Sequence, residues 1–283
     1  MSFLDKIFGR KSEPSALAAD LPPQRSVEEL RKDPSLICVF DKYGRELFIT
    51  KEEWRKSVLP GAIQSKWNDP DQLYGVILGA LNDGFRADIV DAARRLYDID
   101  PQHTRGACLW GIVLMEEGRL DEAEKVFRAF IAKHGEEGVV LTNLAKVFAK
   151  RNDDAKAEEN LWHALELDPN QDSAFAWYEA IHRERGGEAA GEEAMRQVAA
   201  LPGSWRAQVW LARVALKAQD LEQAIALYHE SLARVGKPIP GDLLMQISGD
   251  LGNAGHLPEI IQLAEPHFDA ALHGLTVGNN LIK

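Results

Sequence analysis

In residues 119–130, RLDEAEKVFRAF, the apolar positions fall at helical spacing. Ala123, Phe127 and Phe130 share one face, and acids and bases cover the other. The same arrangement returns in DDAKAEENLWHA at residues 153–164 and in DLEQAIALYHES at residues 220–231. Ala123 to Ala157 is a step of 34 residues, and Phe127 to Leu161 repeats it. DIDPQ and ELDPN place Pro101 and Pro169 two such steps apart, and Gly135 of AKHGEE supplies a helix stop between them. A fixed period of this length predicts an array of helix pairs rather than one irregular helical domain.

The pattern changes upstream. Residues 12–35 carry four prolines and little periodicity, which predicts a mobile linker with one short helical turn. LICVFDKYGRELFIT alternates as two short strands around Asp41–Gly44, with Gly44 placed for a left-handed turn residue. Thr50 followed by Glu53 reads as a capping box opening the helix KEEWRKSVL, which Pro60-Gly61 closes. A lone hairpin is marginal, so this piece is expected to cap the array, packing on the first pair through Trp54 and Trp67.

On a 34-residue frame, residues 104–137 give Ala107, Trp110, Gly111, Leu114, Ala123, Phe127 and Gly135. Residues 138–171 give Leu141, Leu144, Ala145, Phe148, Ala157, Leu161 and Pro169. Residues 205–238 give Gln208, Leu211, Ala212, Ala215, Ala224, Tyr228 and Gly236. Looser matches run through residues 70–103 (Leu73, Val76, Ile77, Ala80, Ile89, Ala93, Pro101) and 241–274 (Leu244, Ile247, Ser248, Leu251, Ile260, Ala264). Residues 172–204 form a degenerate unit one residue short, with the loop RERGGEAAGEE between its helices. This pattern resembles the tetratricopeptide repeat, W-x2-L-G-x2-Y, then A-x3-F, then P.

The resemblance implies an all-α, right-handed superhelical solenoid over residues 70–283, behind a linker at 1–35 and a β-hairpin with helix at 36–69. The packing logic agrees. Small residues at Gly111, Ala145 and Ala212, and at Ala123, Ala157 and Ala224, let two antiparallel helices approach closely. One pair cannot bury its own faces, so stacking is obligatory. At the C-terminus GNNLIK echoes TNLAKV of residues 142–147, so a further unit is expected to begin at residue 275 and stop partway, as in a chain truncated from a longer array. The alternative is one long capping helix over residues 266–283, and both place a helix there.

Composition narrows the function. Hydrophobic content of 45% and charge of 27% fit a soluble protein, and a net charge of -11 argues against nucleic acid as a general partner. Cys38 and Cys108 lie far apart and suggest reduced, structural thiols, which fits a cytoplasmic location. No apolar run reaches the roughly 18 residues that a spanning helix needs. MSFLDKIFGRK is interrupted by charge and is no signal peptide. Phe3, Leu4, Ile7 and Phe8 nevertheless line one stripe beside Lys6, Arg10 and Lys11, the layout of a short interfacial helix capable of weak membrane contact.

Catalytic signals are absent. The eight histidines include no H-E-x-x-H pair, and there is no G-x-S-x-G, P-loop or G-x-G-x-x-G. His103 and His134 fall near unit boundaries, where they are expected to face the carbonyl ends of helices. Cys108 sits among aromatic and aliphatic neighbours as an inert thiol, and the acid clusters on the second helices read as solvated surface. No enzyme, metal or cofactor is expected.

What remains is the inner surface of the array. In the family, the second, fifth, ninth, twelfth and thirteenth positions of a unit line a concave groove. Carried onto this sequence they give Thr142, Lys146, Ala149 and Lys150. In the next unit they give Ala176, Ala180, Arg183 and Glu184, beside Trp177. Further on they give Arg206, Val209, Arg213, Leu216 and Lys217, beside Trp210. Asn143 matches one position of the family's carboxylate clamp for chaperone tails. Cys108 and Ile112 stand where that clamp needs lysine and asparagine, so chaperone-tail binding is not carried over. The resulting basic stripe with aromatic neighbours suits an extended peptide or protein partner of acidic character. The bland alternative is that the tryptophans are core and the lysines merely solvated. Two functions follow: an interaction scaffold or adaptor gripping its partner in the groove, and a membrane-surface assembly factor anchored by its N-terminus.

Overall fold

The structure, a computed structural model, describes residues 25–41, 43–274 and 277. The stripe at residues 1–11, most of the proline-rich linker and the final GNNLIK lie outside the described residues. The chain divides into two compact units that meet in sequence between Gln102 and His103.

In the first unit, the helical turn expected within the linker is α1 (Val27–Arg31). Ser26 caps it reciprocally: Ser26 Oγ accepts from the Glu29 N–H at 3.2 Å, and the Ser26 N–H donates to Glu29 Oε2 at 2.7 Å. Strands β1 (Leu36–Phe40) and β2 (Glu46–Thr50) pair antiparallel, with Leu36 opposite Thr50 and Phe40 opposite Glu46. Asp41 Oδ1 shapes the turn by accepting from the N–H groups of Tyr43 (2.8 Å) and Arg45 (2.9 Å), and Gly44 takes the left-handed conformation at φ +78°.

Thr50 Oγ1 accepts from the Glu53 N–H at 3.1 Å and opens α2 (Lys51–Ser57), which is the N-cap half of the expected capping box. Pro60-Gly61 does not close that helix. The helix is interrupted at Val58, where φ is -109°, and Pro60 sits in the first turn of α3 (Leu59–Lys66). A proline there loses nothing, because the N–H groups of a first turn have no helical partner. Trp54 stacks on Phe85 with ring centroids 5.2 Å apart, while Trp67 offers its carbonyl to Arg95 Nε at 3.3 Å. Helices α4 (Pro70–Asn82) and α5 (Val90–Ile99), with the 3-10 turn Ala87–Ile89 before α5, bury Leu73, Ile77, Ala80, Ile89 and Ala93, five of the frame positions.

The second unit is helical in pairs. Helices α6 (His103–Glu116) and α7 (Leu120–His134) form one pair, and α8 (Gly138–Lys150) and α9 (Asp154–Leu167) the next. Beyond α10 (Asp172–Ala199) come α11 (Arg206–Lys217) with α12 (Leu221–Ala233), then α13 (Gly241–Ala254) with α14 (Leu257–Ala264). First helices of neighbouring pairs also touch: α6 with α8, α8 with α10, and α11 with α13. Ala107, Leu114, Ala123, Phe127, Ala145, Leu161, Ala212, Ala224 and Tyr228 are all essentially without solvent contact, where the frame puts its packing residues.

Gly111 shows why the frame needs small residues. A Cβ built there would lie 2.1 Å from Cζ of the fully buried Phe127, so only glycine lets α6 and α7 close on that ring.

The loop expected at residues 183–193 is helix instead. The chain is helical throughout α10 except at Gly187, where φ +76° and ψ -172° break it. Gly191 then lies so close to the segment before the break that an added Cβ would sit 3.1 Å from both Arg183 Cβ and Glu179 Oε1. This unit is therefore a helix pair as well, its turn compressed to the Gly186-Gly187 step.

Polar contacts run along the edge where the pairs begin. Thr104 Oγ1 hydrogen-bonds the Glu137 carboxylate at 2.9 Å. Asn170 Oδ1 accepts from the backbone N–H groups of Trp205 (2.8 Å) and Arg206 (3.0 Å), and Asn170 Nδ2 donates to the Gly203 carbonyl at 2.9 Å. His134 ends α7 as expected, but His103 opens α6 and so stands at the N-terminal end of its helix; the two rings lie 4.5 Å apart. After α14, a 3-10 turn (Glu265–His267) and an extended Phe268 precede helical residues 270–274, so no single helix starts at residue 266. His273 is a buried core histidine: Nδ1 accepts from the Asp269 N–H at 2.7 Å, and Nε2 lies 2.9 Å from the Ile239 carbonyl.

Candidate binding site

Lys146, Lys150 and Trp177 come together in the second unit. With Ile112, Met115, Glu116 and Ala149 they line a hollow of about 300 Å³ on the α6–α8–α10 layer. Its floor is apolar. Met115 is buried, Ile112 and Trp177 are partly so, and the indole packs at the margin of a core that includes Leu141, Leu165 and Tyr178. Lys150 Nζ pairs with Glu116 Oε1 at 3.1 Å on the rim.

Lys146 differs. Its ammonium makes one long hydrogen bond, 3.3 Å to Asn143 Oδ1, and among the described residues it forms no ion pair. Burial pushes its pKa below the usual lysine range, as expected for a cation held against apolar walls without a counter-charge.

A second hollow of about 400 Å³ adjoins the first, sharing Ala149 and Trp177. Asp154, Ala157, Ile181, Glu184 and Arg185 complete its lining.

Ala149 in both hollows and Glu184 in the second are expected groove residues as well, while the remaining ones are placed elsewhere. Thr142 and Asn143 are buried on α8. Thr142 Oγ1 lies 2.8 Å from the Gly138 carbonyl and 2.7 Å from Gln171 Oε1, and Asn143 Nδ2 donates to the Val139 carbonyl at 3.0 Å. Arg183 lies 3.3 Å from Glu179 on its own helix. Arg206 is a joint: its guanidinium reaches the Asn170 carbonyl (2.8 Å), Asp172 (2.9 Å) and Asp242 (3.4 Å), and it stacks over Trp205 at 4.9 Å.

Arg213 ties α11 to α13 through Asp250 (2.7 Å) and Gln246 (2.9 Å), and Asp250 lies 3.3 Å from the Tyr228 hydroxyl. Burial raises the pKa of both Asp250 and Tyr228. Trp210 is half-buried against the same core as Trp177, and Lys217 is exposed on α11. The structure thus gathers Lys146, Lys150 and Trp177 at one hollow, and it engages Arg206 and Arg213 in contacts between helix pairs.

In the sequence-derived groove Ile112 figures only as a departure from the clamp, and Met115 and Glu116 not at all, although the signal existed. They stand 34 residues before Lys146, Ala149 and Lys150, at the same three groove positions of the preceding unit. Asp154 and Arg185 had no comparable signal, because they lie outside those positions.

The thiols separate by environment. Cys38 is exposed on β1, whereas burial pushes Cys108 up to about 11 despite the nearby Asn143. At pH 8 the Cys108 thiolate fraction is then on the order of a hundredfold below that of an ordinary thiol. Iodoacetamide at that pH is expected to label Cys38 rapidly and leave Cys108 nearly untouched in the folded chain, read by peptide mass mapping. Equal labelling would mean that Cys108 is not held as described.

These features define a tandem array of helix pairs of tetratricopeptide type, with a hollow in the layer of first helices. No family model matches the chain, and no curated protein matches it. The solved structures similar to it include tetratricopeptide repeat proteins. A thermophilic TPR protein of Thermus thermophilus is 17% identical at a TM-score of 0.36, over 67% of this chain and 99% of that one. Yeast Tom70 is 18% identical at 0.44 over 77% and 46%, and Pseudomonas aeruginosa pilF 16% identical at 0.38 over 69% and 88%. Scores and identities are low, so the fold rests on the repeat step, the helix pairs and their buried positions. Among the described residues no helix is long and apolar enough to cross a membrane, and no cluster of side chains could hold a metal ion.

Proposed function

We propose that this protein is a non-catalytic interaction scaffold that grips a peptide segment of a protein partner at the hollow formed by Lys146, Lys150 and Trp177. The observation that carries the reading is Lys146. A half-buried ammonium without a carboxylate partner, set among Ile112, Met115 and Trp177, is costly to maintain and suits an incoming anion. An acidic side chain beside an apolar one would satisfy both the charge and the walls.

The test is selection of peptides from a random phage-displayed library on the full chain, followed by calorimetric titration of the winners. A charge-assisted hydrogen bond from such a group contributes about 1.5–3 kcal/mol, so Lys146→Met is expected to weaken binding by about tenfold or more. Circular dichroism should show unchanged helicity. Winners that bind Lys146→Met as tightly as the parent chain would remove the hollow from the proposal.

A further inference from the structure

The two adjoining hollows carry opposite charge. In the first, Lys150 is neutralised by Glu116, which leaves the Lys146 ammonium as the unbalanced group. In the second, Arg185 is engaged by Glu158, which also lies 3.3 Å from His182 Nε2. That leaves Asp154 and Glu184 as the unbalanced groups; both are exposed, and among the described residues neither forms an ion pair. Trp177 and Ala149 line both hollows, so an indole with an open flank stands between a cationic chamber and an anionic one.

We infer that the cleft selects a dipolar segment: an acidic residue at Lys146, a large apolar residue on Trp177, and a basic residue toward Asp154 and Glu184, in one fixed order. This rests on the peptide-binding reading above and adds to it a second charge and a direction. The physical ground is complementarity. A segment that is acidic throughout would be attracted at one chamber and repelled at the other, and like-charge juxtaposition is what an interface uses to reject wrong partners. The apolar centre anchors the segment, since an aromatic side chain in a desolvated pocket carries much of the affinity of a small interface. The flanking charges set register and direction.

The experiment runs three selections in parallel from the same random phage-displayed peptide library: on the parent chain, on Lys146→Met, and on the double variant Asp154→Lys/Glu184→Lys. Asp154 and Glu184 are exposed, so the double variant is expected to fold, and circular dichroism checks all three proteins. The parent chain should enrich peptides with an acid and a base on opposite sides of a large apolar residue, always in the same order. Lys146→Met should lose the preference for the acid and keep the base. The double variant should keep the acid and lose the base.

In titration, replacing the base of a winning peptide by glutamine should weaken binding to the parent chain about two- to fivefold, the range of a solvent-exposed ion pair, and leave binding to the double variant unchanged. Winners that need Lys146 but carry acids alone, or a base preference that survives in the double variant, would overturn the dipolar inference while leaving the peptide-binding reading in place. A library that yields no winner on the parent chain overturns both. Winners resembling this chain's own exposed helices would make the occupant a second copy, and would overturn it too.

Discussion

Replacing Phe127 by alanine is expected to destabilise the second unit by about 3–5 kcal/mol, the usual range for deleting a large buried aromatic. The ring is fully buried on α7 and closes directly over Gly111 of α6. No neighbouring side chain can swing in from solvent to refill the space, because the facing position has no side chain at all. Urea unfolding followed by circular dichroism measures the loss. A change below about 1 kcal/mol would mean that the ring does not sit at the packing position assigned to it.

The second large effect is the converse change at the same contact. In Gly111→Ala the new methyl would be placed 2.1 Å from Phe127 Cζ, far inside contact distance, and the ring is enclosed on its other sides. Overpacking of this kind costs about 1–3 kcal/mol, even though alanine is the better helix former by nearly 1 kcal/mol. Sterics should win. The sign should then reverse when the ring is removed: in a Phe127→Ala background, Gly111→Ala fills part of the cavity and gains helix propensity, so it is expected to stabilise. A double-mutant cycle reads the coupling, which should favour the double variant over the sum of the singles. Additive effects would mean that α6 and α7 do not meet through these two residues.

Much of this was legible before the structure, because packing positions are dictated by period. The residues chosen by a 34-residue step, from Ala107 through Ala123 and Leu161 to Tyr228, are the buried ones. Small residues facing large ones have no other explanation at that spacing. Local signals with two meanings were less secure. Pro60 can end one helix or begin another, and only the interruption at Val58, ahead of the proline, decides between them. The RERGGEAAGEE segment is rich in glycine and charge, which suggests a loop, yet a single residue with positive φ suffices to turn one helix into the next.

The site was legible only in part. Frame position places a residue on the correct helix face, but it does not reveal what already engages the side chain. Thr142 and Asn143 bond to carbonyls one turn back, and Arg213 finds Asp250 some 37 residues downstream. Both facts depend on neighbours that the repeat pattern does not specify. Lys146 stands out because, among the described residues, its ammonium meets no carboxylate and has a single long hydrogen bond to Asn143.

The contacts of Asn170 have a consequence for how the second unit comes apart. In a stack of repeats, each pair has some stability of its own and borrows the rest across its interfaces, so opening can in principle start at any weak pair. The pair holding Gly187 is interrupted at its turn and would be the natural place for opening to begin. Yet Asn170, in the turn ahead of that pair, binds the backbone that starts α11 behind it, and Arg206 reaches from α11 to Asp172 and on to Asp242. Loosening the glycine-turned pair therefore also uncaps the helix that follows it. In hydrogen exchange, amides of residues 172–199 and of α11 should exchange as one block with a common opening free energy. The fragile repeat is thus held to the lifetime of its neighbour.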